Sequence, residues 1–138
     1  MKTIEESVIY AMDGSDVDLL PFLPYILQDL WEFGTSSDVI VTQLKNLNFD
    51  NLKLLNVLDL GCGKGAVSVK LAQNFGYKTV GFDAVPDFID FAKLKAKEYN
   101  VAQLCSFFVE DIRKIIGEQK DFDIIILGAI GNVFGQLN

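Results

Sequence analysis

The stretch that decides the fold is Val57-Leu58-Asp59-Leu60-Gly61-Cys62-Gly63-Lys64-Gly65-Ala66. Its first residues read as a buried strand, its glycines as a tight turn, and Gly65 onward as the start of a helix. A turn this tight needs positive backbone angles, and a ligand lying against it needs side chains out of the way, which is what Gly61, Gly63 and Gly65 supply. Backbone amides at the start of the following helix can then hold a negatively charged group. Gly61-x-Gly63-x-x-Ala66 also satisfies the dinucleotide fingerprint in its alanine form. A nucleoside triphosphate loop is excluded, because it needs glycine at position 58 and Ser or Thr after the lysine, where Leu58 and Gly65 stand. Lys64 is accordingly expected to face solvent.

The acids around the turn narrow the choice of ligand. Asp59 lies inside an apolar strand, where an unpaired carboxylate costs several kcal/mol in order of magnitude, so it needs partners. Asp83 ends the next strand, and an acid about 20 residues beyond such a turn commonly accepts hydrogen bonds from ribose hydroxyls. Asp111 ends the third strand, where it either reaches the same crevice or caps the segment from Ile112. All three fall at carboxyl ends of strands, where open parallel sheets bind their ligands. A pyrophosphate is disfavoured in that company and a cationic ligand is not.

Outward from the turn, the pattern predicts strands at 54–60, 78–82, 104–109 and 122–127. Helices are predicted over about 65–75, with Val67, Leu71 and Phe75 on one face, and from Pro86 with Phe88, Phe91, Ala92, Lys95 and Tyr99 sharing a side. A short helix fits 112–118. Strands alternating with helices specify a parallel sheet with right-handed crossovers. Toward the N-terminus, Leu20, Leu23, Ile26, Leu27, Leu30 and Trp31 predict one helix over 19–33. A second, capped by Ser36 or Ser37, has Val39, Ile40, Leu44 and Leu47 on one side. These helices either pack on the sheet or form a lid over the ligand, with Trp31 and Phe33 as the residues of interest. Residues 1–18 are read as turns and caps; Asp13, Asp16 and Asp18 do not make a calcium loop, since Val17 and Asp18 occupy slots that need a ligand and a glycine.

The 138 residues fit one domain with one core, and half of them are apolar. The net charge of −7 argues against nucleic acid as a partner and for a small molecule or a protein. Glu5 and Glu6 stand where a signal peptide needs a basic end, and no stretch approaches the roughly 18 apolar residues of a membrane span, so a cytoplasmic protein with no membrane contact is expected. Two cysteines, Cys62 and Cys105, and no histidine make a metal site improbable and remove the usual general base.

At these residues the chain resembles the class I S-adenosylmethionine-dependent methyltransferases. Val57-Leu58-Asp59-Leu60-Gly61-Cys62-Gly63-Lys64-Gly65 matches the family's first motif, and Val80-Gly81-Phe82-Asp83 the acidic strand end after it. Phe107-Phe108-Val109-Glu110-Asp111-Ile112 and Phe122-Asp123-Ile124-Ile125-Ile126-Leu127-Gly128-Ala129 match the next two, in order. The resemblance implies an α/β, Rossmann-like parallel sheet in the order 3-2-1-4 with flanking helices, and S-adenosylmethionine as cofactor. It implies that Gly61 and Gly63 approach the methionine part, with Asp59 near its amino group. Asp83 would hold the ribose hydroxyls, Asp111 the adenine amino group, and Ile112 would flank the ring. Ala84 and Val85 would give apolar contact, and backbone around Gly128 would face the methionine end. The catalytic residues are not implied, and the acceptor is expected to be a small molecule, or a protein.

The family's sheet has seven strands, whereas this chain ends at Asn138. The resemblance therefore implies a single incomplete domain truncated after strand four, with 1–50 as an N-terminal lid or cover and 51–138 as the cofactor-binding core. Strand four would be an edge, so a homodimer pairing that strand across a two-fold axis is expected. The competing readings are a non-catalytic ligand-binding or interaction module, and a fragment of an NAD-dependent oxidoreductase.

Overall fold

Strand β1 (Asn56–Leu60) lies in the interior of a four-stranded parallel sheet ordered β3-β2-β1-β4, with β2 (Lys78–Asp83) and β4 (Ile124–Leu127) on either side. β3 (Cys105–Val109) pairs with β2 at one edge. The computed structural model describes residues 1–49 and 53–135, so the boundary expected between residues 50 and 51 lies outside the described residues. β1 is apolar and buried from Val57 onward because both of its faces are covered, as a central parallel strand requires. Leu60 is in register with Phe82 and Leu127, which brings the carboxyl ends of three strands to one level.

Two helices follow the strands on one side of the sheet. α4 (Ala66–Phe75) runs from the glycine turn, and its Leu71 is buried with Val57, Leu55 and Ile126 while Val67 and Phe75 pack against the same group. α5 (Pro86–Glu98) buries Phe88, Ile89, Ala92 and Ala96. Phe91, Lys95 and Tyr99, expected to share a buried face with Phe88, are only half-buried: the sheet takes the stripe one residue further on, through Ile89 and Ala96. The opposite face of the sheet carries Leu58, Leu60 and Phe82, covered by Ile112 of the one-turn helix α6 (Ile112–Ile115) and by Ile130 and Val133.

The N-terminal third departs most from the sequence reading. α1 (Ile4–Ala11) forms where only turns were expected, fixed by a capping box: Thr3 accepts from the Glu6 amide at 3.1 Å, and the Glu6 carboxylate accepts from the Thr3 amide at 2.8 Å. The single helix expected over 19–33 is instead a 3-10 segment (Val17–Phe22), one helical turn α2 (Leu23–Ile26) and an irregular strap. Pro21 and Pro24 withhold amides, and the carbonyls of Leu27 and Leu30, which a continuing helix would use internally, accept from the Lys64 ammonium instead. Only Leu23 of that stripe is fully buried, with Leu20 and Leu27 packed beside it against Phe88 and Ile9; Ile26 and Leu30 are exposed.

α3 (Ser37–Leu47) is present, yet its buried face is Ser37 and Val41 with Ile40 and Leu44 alongside, and Val39 and Leu47 are exposed. Its start is held neither by Ser36 nor by a Ser37 cap; the Glu32 carboxylate accepts from the Ser37 amide at 3.3 Å and from the Ser37 hydroxyl. This distribution of burial makes a direct prediction. In urea unfolding, Leu71→Ala loses about 2–5 kcal/mol, as full-size core deletions do, whereas Val39→Ala stays within about 0.5 kcal/mol, as surface changes do. A large loss at Val39 would restore the face read from the sequence.

Candidate functional site

Gly61, Gly63 and Gly65 turn the chain from β1 into α4 with φ of +69°, +55° and +78°. The space at Gly63 is as restricted as its backbone: a Cβ there would stand 3.2 Å from the Phe33 ring. At Gly65 it would stand 2.7 Å from Ala92 on α5, so this glycine also lets two helices approach. The turn is drawn onto β2 by the amides of Gly61 and Cys62, which both donate to the Phe82 carbonyl at 2.8 and 2.9 Å. Ala66 and Val67 begin α4, where first-turn amides have no intrahelical acceptor, and both residues border the open space beside the turn.

That space is a cavity of about 290 Å³ at the carboxyl ends of the strands. Every residue expected at the site lines it: Asp59, Gly61, Gly63, Asp83, Ala84, Asp111, Ile112 and Gly128. Val85 lines it too. The roof comes from the N-terminal third, through α1 and through Trp31, Phe33 and Thr35. Thr35 packs against Gly128 and Gly34 against Ala129, so the strap crosses the ends of β1 and β4 directly.

The three acids differ in what holds them. Asp59 is buried, accepts from the Ser68 hydroxyl at 2.8 Å, and has its pKa raised to about 6 by burial, with repulsion from Asp83 adding to it. Asp83 receives the Gly63 amide at 2.9 Å on one oxygen and the Val85 amide at 3.0 Å on the other. Burial pushes its pKa up and these amide bonds pull against that. Asp83 is therefore a tie between β2 and the glycine turn as well as a wall of the cavity.

Asp111 caps α6 by accepting from the Arg113 amide at 3.0 Å, and its carboxylate is gripped by the Arg113 guanidinium at 2.8–3.2 Å. The hydrogen bond from Arg113 holds its carboxyl below the usual range. Arg113 also donates to the Lys2 carbonyl at 2.8 Å and the Ser7 hydroxyl at 3.2 Å, which fastens α1 over this end of the cavity. Nothing in the sequence reading singled out Arg113, because its partners on the roof, Lys2 and Ser7, lie more than 100 positions away in the chain.

The expectation that Lys64 faces solvent is wrong. Lys64 is 4% exposed, with its ammonium 2.5 Å from the Leu27 carbonyl, 2.6 Å from that of Leu30 and 4.6 Å from the Phe91 ring centre. With this cation committed to the strap and Arg113 paired with Asp111, the remaining charged residues of a mostly apolar lining are acids: Asp13, Glu32, Asp59, Asp83 and Glu110. Such a wall suits a ligand that carries positive charge and repels a pyrophosphate. Cys62 lines the cavity, and burial pushes its pKa well up, which favours the thiol.

Comparison with known proteins places this geometry. The model of the methyltransferase domain family matches residues 57–136. The chain is 36% identical over 91 residues to the O-antigen chain terminator bifunctional methyltransferase/kinase WbdD of Escherichia coli, covering 64% of this chain and 13% of that protein. A WbdD structure superposes over 75% of this chain and 23% of its own, with a TM-score of 0.61 and 32% identity. A methyltransferase from Geobacter sulfurreducens, solved with S-adenosyl-L-homocysteine, is 30% identical with a TM-score of 0.50, covering 56% of this chain and 30% of its own. An RNA methyltransferase from Salinibacter ruber, also with S-adenosyl-L-homocysteine, gives a TM-score of 0.57 at 26% identity, over 67% and 58% of the two chains. The chain spans 13% to 27% of the length of the curated relatives it matches. The matched span holds the glycine turn and all three acids, and the chain belongs to the methyltransferase domain family, of the class I, S-adenosylmethionine-dependent kind.

Proposed function

We propose that this chain holds S-adenosylmethionine in the cavity under its N-terminal roof and serves methyl transfer to a small-molecule acceptor. One observation carries the reading: the glycine turn and the carboxylates of Asp59, Asp83 and Asp111 line a single cavity at the strand ends, with the nearest lysine turned away. The residues present fit the group. Gly61 and Gly63 offer close backbone approach at the methionine end, beside Asp59 for its ammonium. The first-turn amides of α4 suit its carboxylate. Asp83 takes the ribose hydroxyls, Ile112 and Ala84 flank the adenine, Asp111 receives its amino group, and Gly128 closes the methionine end.

Bound there, the cofactor supplies an electrophilic methyl on a sulfonium. What remains for the chain is to hold donor and acceptor in line and exclude water, and such positioning is worth roughly 7–11 kcal/mol in intramolecular precedents. The roof of α1 and Phe33 performs the exclusion, so the absence of histidine is no obstacle. The net charge of −7 disfavours nucleic acid as acceptor. The same acids speak against an NAD-dependent oxidoreductase.

β4 pairs with β1 alone among the described residues, and its Ile125 and Leu127 are 57% and 56% exposed. This supports association of two copies through that edge into one eight-stranded sheet. Light scattering at micromolar concentration is expected to give twice the chain mass, and a strictly monomeric mass refutes the arrangement.

Two binding measurements test the site. By calorimetry, adenosylhomocysteine is expected to bind and NAD not to, and Asp83→Ala is expected to weaken adenosylhomocysteine about tenfold or more, the loss of a hydrogen bond to a charged group being about 1.5–3 kcal/mol. Unchanged affinity in that variant removes Asp83 from the site. The second uses pH. Because Asp59 is raised to about 6, its contribution to the stability of the ligand-free fold is present below the ordinary carboxylate range and is lost as pH rises through about 6. Affinity for a ligand ammonium runs the other way, since it needs the carboxylate. Lowering the pH from about 7.5 to about 5 is expected to weaken adenosylhomocysteine by at most about tenfold per pH unit below the Asp59 pKa, and Asp59→Asn to flatten the dependence.

A further inference from the structure

Lys64 sits inside the glycine turn, and it is joined to the N-terminal strap from both directions. Its ammonium donates to the carbonyls of Leu27 and Leu30, and the indole of Trp31 donates back to the Lys64 carbonyl at 3.0 Å. The third face of the ammonium lies over the Phe91 ring. A lysine that served a ligand phosphate would keep its donors toward the cavity, whereas these are spent on main-chain carbonyls left over where α2 fails to continue. Burying an ammonium costs free energy that a methionine of similar length would not incur, so the contact is specific rather than space-filling.

The residues just beyond Trp31 give the contact its consequence. Phe33 lies against Gly63 and Phe88, Gly34 against Ala129 and Thr35 against Gly128. Residues 33–35 thus cross the methionine end of the cavity only a few positions beyond the bonds to Lys64. One residue therefore joins the crossing of the roof to the glycine turn.

We propose that Lys64 is a positioning residue that fastens the N-terminal strap to the glycine turn, so that closing the roof and holding the cofactor are a single event. The inference rests on the cofactor reading. Lys64 itself touches no ligand and acts through Phe33, Gly34 and Thr35. A ligand that orders the turn must then order the strap, and a loosened strap must weaken the ligand by the same factor.

The test compares the full chain with Lys64→Met, Trp31→Phe and the double variant, using adenosylhomocysteine calorimetry and hydrogen exchange of residues 27–35 with and without that ligand. In the wild type the ligand is expected to slow exchange in the strap at least about tenfold. Lys64→Met is expected to raise Kd about tenfold, within the usual range of coupling between sites, and to remove most of the ligand-induced protection of 27–30, whose carbonyls lose the ammonium. Trp31→Phe, which removes one donor and keeps the ammonium bonds, is expected to lower the protection of 27–30 partially. The double variant is expected to lose more protection than either single variant, since the Trp31 indole donates to a main-chain carbonyl that Lys64→Met retains. Faster exchange in Lys64→Met equal in the free and bound states, with wild-type Kd, makes the lysine merely structural and overturns the proposal. Should Lys64→Met fail to fold, Trp31→Phe decides: full protection with wild-type Kd also overturns it. Absence of adenosylhomocysteine binding by the wild type overturns the cofactor reading and this inference together, whereas binding by the wild type with an indifferent Lys64→Met overturns this inference alone.

Discussion

The hydrogen bond from the Gly63 amide to the Asp83 carboxylate, 2.9 Å long, is the contact on which the remainder of the site depends. It closes the glycine turn onto the end of β2, in parallel with the two amides that reach the Phe82 carbonyl. A turn with three left-handed glycines has little rigidity of its own. Its shape is imposed by acceptors on the neighbouring strand, and those acceptors are in place because Leu60 and Phe82 are in register. The cavity therefore inherits its geometry from sheet pairing, and the sheet is held by the buried layer of Leu71, Val57 and Ile126 beneath it and Phe88, Ile89 and Ala92 beside it.

The same arrangement explains why carboxylates gather at one place without unfolding the protein. Asp59, Asp83 and Asp111 are each satisfied by a different donor type: a hydroxyl from Ser68, backbone amides, and the Arg113 guanidinium. Their pKa values separate accordingly, raised at Asp59 and Asp83 and lowered at Asp111. Beside the glycine turn Asp59 has no cationic partner among the described residues, whereas Asp111 already has one in Arg113. A zwitterionic, partly cationic cofactor lying from Gly61 to Ile112 would meet the demand where it exists.

The core of this fold was legible because its signals are local. Apolar runs with Asp59, Asp83 and Asp111 near their carboxyl ends mark three of the strands, and Gly61, Gly63 and Gly65 mark the turn. The N-terminal third was not legible, for two different reasons. α1 has a local signature in Thr3-Ile4-Glu5-Glu6, a capping box that the acidic cluster behind it obscured. In the strap the apolar spacing over 19–33 is helical and Pro21 and Pro24 suit a first turn, while the ammonium that takes the carbonyls of Leu27 and Leu30 lies 34 to 37 positions away in the chain. Arg113 escaped notice in the same way, since its bonds to Lys2 and Ser7 span over 100 positions.

These long-range contacts share a direction. Lys64 and Arg113 both originate on the sheet side of the cavity, at the glycine turn and beside Asp111, and both end on the N-terminal roof. Lys64 donates only to main-chain carbonyls there, and Arg113 to one carbonyl and one hydroxyl, so most of these bonds reach groups that any sequence at the roof positions would retain. The roof is held by side chains as well: Ile9 and Leu23 are buried with Val85 and Phe88, and Val8, Met12, Leu20, Leu27 and Phe33 pack beside them. Among the α1 residues that line the cavity, Ile4 and Ala11 stand outside that cluster, so sequence change there alters the cavity wall at the lowest structural cost to the cover.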